Sequence, residues 1–167
     1  VDLFEVNCMK IEFGSNGRKM DGWLCTDIDT VDIRNALPWP DGSVEMAMAS
    51  HVVEHITPHE AFRFFKEVHR VLKPGGVFRV IVPTLELIED RRHAVSLILD
   101  HGHQMVFSKG SLGDMIWAAG FERENITFVN KDPILDVHGK EIGEEKDALE
   151  SARMVAIKCA ASGSDKT

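Results

Sequence analysis

The 167-residue chain contains no tyrosine beside nine phenylalanines and three tryptophans. Every mechanism that needs a phenolic base or nucleophile is excluded, the tyrosine-dependent short-chain dehydrogenases and tyrosine recombinases among them. Cysteine is scarce too. Cys8, Cys25 and Cys159 are odd in number, widely spaced and form no C-x-x-C, so neither a disulfide framework nor a thiolate zinc site is indicated. A reducing cytoplasm is the expected compartment. Basic residues are in deficit, 19 against 27 acidic, for a net charge of −8 and a pI near 5.4. That balance disfavours nucleic acid and anionic lipid as partners and suits a small molecule. No run of about 18 apolar residues is available for a membrane span. The first residues lack the basic start and apolar stretch of a signal peptide, and the missing initiator Met points to a trimmed or partial N-terminus.

Enough apolar material remains for an ordinary core: 44% hydrophobic residues, with mean hydropathy −0.11. There is no internal repeat and no linker. One domain over residues 1–160 is expected, followed by a polar tail, 161–167, expected to be disordered.

Strand signals fall at 8–13, 23–28, 44–49, 77–82, 125–129 and 152–159. Thr57-Pro-His-Glu60 is a capping box with proline at the first helical position, and Ala61, Phe65, Val68 and Leu72 follow at helical spacing until Lys73-Pro-Gly-Gly76 stops the helix. A second helix is expected over about 84–100, and a third over 109–119, capped by Ser108 and ended at Gly120. Strands alternating with helices predict an α/β fold, a Rossmann-like doubly wound sheet of about six mostly parallel strands, with the last antiparallel. Two connections are short. Eight residues, 15–22, separate the first two strands, and 30–43 carry breakers and no strand, so the N-terminal half is pared down.

Ligands of open α/β sheets sit beyond the carboxyl ends of the strands. There this sequence places Glu12-Phe-Gly-Ser-Asn-Gly17, then Asp27, then Ser50-His51, then Pro83. These features, with Gly22-Trp23, Leu37-Pro-Trp-Pro-Asp-Gly-Ser43, Ser50-His-Val-Val-Glu-His55 and His69-Arg-Val-Leu-Lys-Pro-Gly-Gly76, resemble the class I S-adenosylmethionine-dependent methyltransferases, in their small Methyltransferase-11-like subgroup. The resemblance spans about residues 9–121. It implies S-adenosylmethionine as cofactor, held by Glu12, Phe13, Gly14, Ser15, Asn16, Gly17, Asp27, Ile28, Asp32, Ile33, Ala49, Ser50 and His51. Asp27 is the implied ribose acid, and Asp32, followed by Ile33, the implied adenine-edge acid. The backbone at Ala49 and Ser50 is implied to face the methionyl amino group. Gly14 and Gly17 admit close backbone approach, although Asn16 stands where the family's Gly-x-Gly-x-Gly has a glycine.

Methyl transfer is chiefly a matter of orientation, and a base is needed only where the acceptor must lose a proton. Without tyrosine, the candidate bases are His51, His101 and His103. The expected activity is methyl transfer to a small-molecule acceptor, with a cofactor-binding subunit or regulator lacking turnover as the alternative. Residues 86–106 could cover the cofactor or form a homodimer contact. His51-Val-Val-Glu-His55 also reads as H-x-x-E-H, a zinc-peptidase motif. Pro58 and the cap at Thr57 break the helix before His59, so no metal ligand is expected. A dinucleotide-binding dehydrogenase is disfavoured, because the turn is not G-x-G-x-x-G and Asp27 follows Gly14 too closely.

Overall fold

A computed structural model describes residues 9–85, 102–129, 134–135, 141–143 and 151–159. Three parallel strands open the sheet: β1 (Met9–Phe13), β2 (Leu24–Thr26) and β3 (Val44–Ser50). Helix α1 (Pro58–Val71) then runs straight into β4 (Leu72–Pro83). Helix α2 (Lys109–Ala118), β5 (Ile126–Val129), the short pair β6 (Ile134–Leu135) and β7 (Glu141–Gly143), and β8 (Ser151–Ile157) follow. The main sheet has six strands in the order β2-β1-β3-β4-β8-β5. Its first four strands are parallel, and β8 lies antiparallel to both β4 and β5. This is the Rossmann-like sheet expected from the sequence.

Local chemistry explains the best-defined element. The Thr57 hydroxyl accepts from the Glu60 N–H while the Glu60 carboxylate accepts from the Thr57 N–H, and Pro58 occupies the first turn, where a missing N–H costs nothing. Ala61, Phe64, Phe65, Val68 and Val71 form the buried stripe of α1. Phe64 meets Phe13 edge-on at 5.0 Å, and Phe65 meets Phe78 at 5.6 Å, so strands β1 and β4 share one aromatic layer with the helix. At the other end, the Lys158 ammonium donates to the carbonyls of His69 and Leu72, both at 2.8 Å, which satisfies carbonyls the helix leaves open.

The short connections are turns. Between β1 and β2 there is no helix, and residues 30–43 contain no strand. Arg70 holds the second of these connections against α1: its guanidinium donates to the carbonyls of Leu37 and Trp39 and to the carboxylates of Asp41 and Glu67. Glu67, in turn, is held below the usual carboxylate range, first by Arg70 and then by the Leu37 N–H it accepts. Helix α2 has its expected Ser108 cap, and Gly120 follows it at φ +122°. The helix expected at 84–100 lies almost wholly outside the described residues, as do the tail and His101.

Candidate functional site

Three loops meet at the carboxyl ends of β1, β2 and β3 and enclose a cavity of about 550 Å³. The turn after β1 contributes Gly14, Asn16 and Gly17; the segment after β2 contributes Asp27 to Arg34 except Thr30; the segment after β3 contributes His51, Val52, His55 and Ile56.

Asp27 builds the first of these loops. Its Oδ1 accepts from the Asn16 N–H at 2.7 Å, and its Oδ2 accepts from the Gly17 N–H at 3.1 Å and the Ser15 hydroxyl at 2.9 Å. The Gly17 and Asn16 amides, ahead of Ser15, hold its carboxyl below the ordinary range. Positive φ at Gly14, Asn16 and Gly17, 67°, 51° and 75°, lets the turn curl around the acid. Asn16 is therefore accommodated as one of the few side chains that tolerate this conformation. A Cβ at Gly14 would overlap the Val52 side chain, so glycine there lets β1 and the segment after β3 close on one another.

Asp32 is also occupied. Arg34 Nε and Nη2 reach both of its oxygens at 2.7 to 3.1 Å, and this contact leads the causes that lower its pKa. The pair is part-exposed, with Arg34 46% and Asp32 24% accessible, so a ligand can compete for it at little cost.

Of the residues expected to touch the cofactor, Gly14, Asn16, Gly17, Asp27, Ile28, Asp32, Ile33 and His51 line the cavity. Glu12, Phe13, Ser15, Ala49 and Ser50 lie off its wall. Glu12 is buried and pairs with Arg18; Phe13 and Ala49 are core. Ser15 acts behind the wall, through its bond to Asp27. In the turn, Ser15, Asn16, Gly17 and Arg18 all spend their N–H groups, on Thr26, Asp27, Asp27 and Ser15 respectively. Asp29, Val31, Arg34, Val52, His55 and Ile56 line the cavity and were not expected; each lies within five residues of one that was.

Among the histidine candidates, His51 lines the cavity at φ +52°, with Nδ1 3.3 Å from Glu54 Oε1. His103 lies off the wall and meets the wall residue His55 edge-on, at 4.7 Å between ring centres. The peptidase arrangement is not formed, because Val53–His55 is a single 3-10 turn and His51 is left-handed, so the two histidines do not share an α-helical face.

The residues present fit S-adenosylmethionine. The cavity has the position and size of an α/β cofactor site. Asp27 keeps one lone-pair direction on Oδ1, Ile28 stands 65% exposed at the rim where it can cover an apolar ring, and Asp27, Asp29 and Asp32 suit a cationic sulfonium. The fold is the Rossmann-like one shared by methyltransferases. Residues 9–80 match the methyltransferase domain family Methyltransf_11. An S-adenosylmethionine-dependent methyltransferase of Mycolicibacterium smegmatis, named as probable, is 34% identical over 99 residues, covering 57% of this chain and 37% of the relative. The chain thus spans well under half the length of that curated relative. Among solved structures, a SAM-dependent methyltransferase from Archaeoglobus fulgidus superposes with a TM-score of 0.64 at 14% identity, covering 91% of this chain and 87% of that one. One from Thermotoga maritima gives 0.60 at 19% identity, covering 90% and 82%. At these identities the structures speak for the fold. Among the described residues no helix is long and apolar enough to cross a membrane.

Proposed function

We propose that this chain is an S-adenosylmethionine-dependent methyltransferase that methylates a small-molecule acceptor by direct displacement. The observation that carries the reading is the cavity at the ends of β1 to β3, with the Gly14 to Gly17 turn and Asp27 on its wall. When bound, S-adenosylmethionine supplies an electrophilic sulfonium methyl. The chain's own part is to bind and orient: Asp27 accepts from a ribose hydroxyl, Asp32 turns from Arg34 toward the adenine edge, and Ile28, Ile33 and Val52 exclude water from apolar faces. His51 is the cavity histidine placed to take a proton if the acceptor must lose one. The acidic balance of the chain supports a small, non-nucleic-acid acceptor, and the free thiols of Cys25 and Cys159 support a cytoplasmic setting.

The helix-free connection between β1 and β2 favours a second reading, a cofactor-binding subunit without turnover. Calorimetry with S-adenosylmethionine and its demethylated product tests what the two share: binding is expected for both ligands, and binding of neither refutes both readings. Methylated product in an acceptor screen then separates enzyme from subunit.

A further inference from the structure

Beside the cavity lies a group of side chains that cofactor binding does not use. Glu54 is 1% exposed, and among the described residues neither carboxylate oxygen has a hydrogen-bond partner. The His51 Nδ1 contact at 3.3 Å to Oε1 lacks hydrogen-bond geometry. A buried carboxylate in that state is costly unless a cation compensates it. Two imidazoles are at hand. One donor atom from each of Glu54, His55 and His103 lies within 4.8 Å of the other two. Ligands about 2.0–2.2 Å from a tetrahedral ion stand roughly 3.3 Å apart, so side-chain rotation of about an ångström, chiefly by exposed His55, closes the set.

The backbone holds these donors together. Gln104 N–H and Met105 N–H both donate to the Glu54 carbonyl, at 2.7 and 3.3 Å, and the Gln104 side-chain amide donates to the His55 carbonyl at 2.8 Å. Residues 103–105 are thereby clamped against the 3-10 turn that carries Glu54 and His55, although some fifty positions separate them in sequence. His51, beside Glu54, stands between this set and the cavity, whose wall it lines.

We propose that Glu54, His55 and His103 form a binding site for a divalent transition-metal ion of the zinc class, a set of two imidazoles and one carboxylate. This departs from the sequence expectation of no metal, and it assigns Glu54 as a ligand rather than a peptidase base. Because His51 and His55 also line the cavity, the ion's open position faces it. On the methyltransferase reading, the ion then holds an oxygen donor of the acceptor, which narrows the substrate class to hydroxyl- or carboxylate-bearing molecules.

The test uses the full chain stripped with chelator, reloaded with Zn2+ and desalted, with the metal content measured by mass spectrometry. About one equivalent is expected in the wild type. Glu54→Gln, His55→Ala and His103→Ala should each weaken retention roughly tenfold or more, and Co2+ loading should give a visible ligand-field band that His103→Ala removes. His55 is exposed, so its variant remains informative if Glu54→Gln fails to fold. No retained metal in the wild type, or retention unchanged in His55→Ala and His103→Ala, overturns the site. Calorimetry with S-adenosylmethionine on the metal-free chain reads the cofactor cavity separately, so loss of metal binding with cofactor binding intact refutes the metal site alone.

Discussion

Adding one methyl group at Gly14 should harm this fold far more than adding one at Gly17, although both residues sit in the same turn at similar positive φ, +67° and +75°. The conformational strain is common to both, about 1–2 kcal/mol for an L-residue in the left-handed region, less roughly 0.4–1 kcal/mol gained by stiffening the unfolded chain. The surroundings differ. A Cβ at Gly17 meets nothing within 4 Å, whereas at Gly14 it would overlap Val52 Cγ2, with Cγ1 and Cβ of that residue at 3.2 and 3.3 Å. Overpacking of this kind adds about 1–3 kcal/mol. Gly14→Ala should therefore cost about 2–4 kcal/mol, and Gly17→Ala about 1 kcal/mol, in urea denaturation at constant m-value. Val52→Ala removes both Cγ atoms, so in that background the Gly14→Ala penalty should fall toward the Gly17 value. The double-mutant cycle should then show a coupling of about 1–3 kcal/mol. Equal penalties at the two glycines, or no coupling to Val52, would refute the close-approach account of this turn.

Four further expectations follow from the same contacts. Asp27→Asn replaces an acceptor oxygen with a donor facing N–H or O–H groups of the turn, and S-adenosylmethionine affinity should fall roughly tenfold or more by calorimetry; wild-type affinity would remove Asp27 from the site. Because its folded pKa is depressed, the contribution of Asp27 should be complete above the ordinary carboxylate value of about 3.9 and lost only as pH falls through the lower folded value, so affinity at pH 5 should match pH 7 as far as this group is concerned. Arg70→Lys cannot span the carbonyls of Leu37 and Trp39 together with Asp41 and Glu67, and should lower stability by about 1–2 kcal/mol after solvent screening; a neutral result in thermal unfolding would show that this network holds nothing. His69 is packed against Phe121 at 4.9 Å, and burial, then Lys158, lowers its pKa. The unfolded chain takes up that proton first, so stability should decline as pH falls below about 6.5 and level off below the folded value, and His69→Phe should flatten the slope between wild type and variant.

Legibility differed from element to element for physical reasons. The start of helix α1 was legible because it is a local hydrogen-bond exchange between Thr57 and Glu60, but its end was not: the helical spacing ran on to Leu72 and the Pro-Gly-Gly stop, whereas the helix ends at Val71 and Leu72 opens β4. Strand β4 was less legible: it begins at Leu72, five residues before the β-branched run at Val77, because the shift in register between β3 and β4 takes up the Pro-Gly-Gly segment. In the site, the glycines and Asp27 stood out by position at strand ends. That Asp27 also shapes the turn did not, since the partners that bond it lie ten to twelve residues away.

Composition and local pattern alone determined the α/β fold and pointed to a candidate site at the carboxyl ends of the first strands, because periodicity, caps and breakers act over a few residues. Tertiary structure decided which of those residues reach the cavity. It moved Glu12, Phe13 and Ala49 into the interior, brought His55 and Val52 to the wall, and set His103 against His55 and Glu54 across a gap of nearly fifty positions. Contacts of that range depend on the packing of whole loops against one another, which no window of sequence contains.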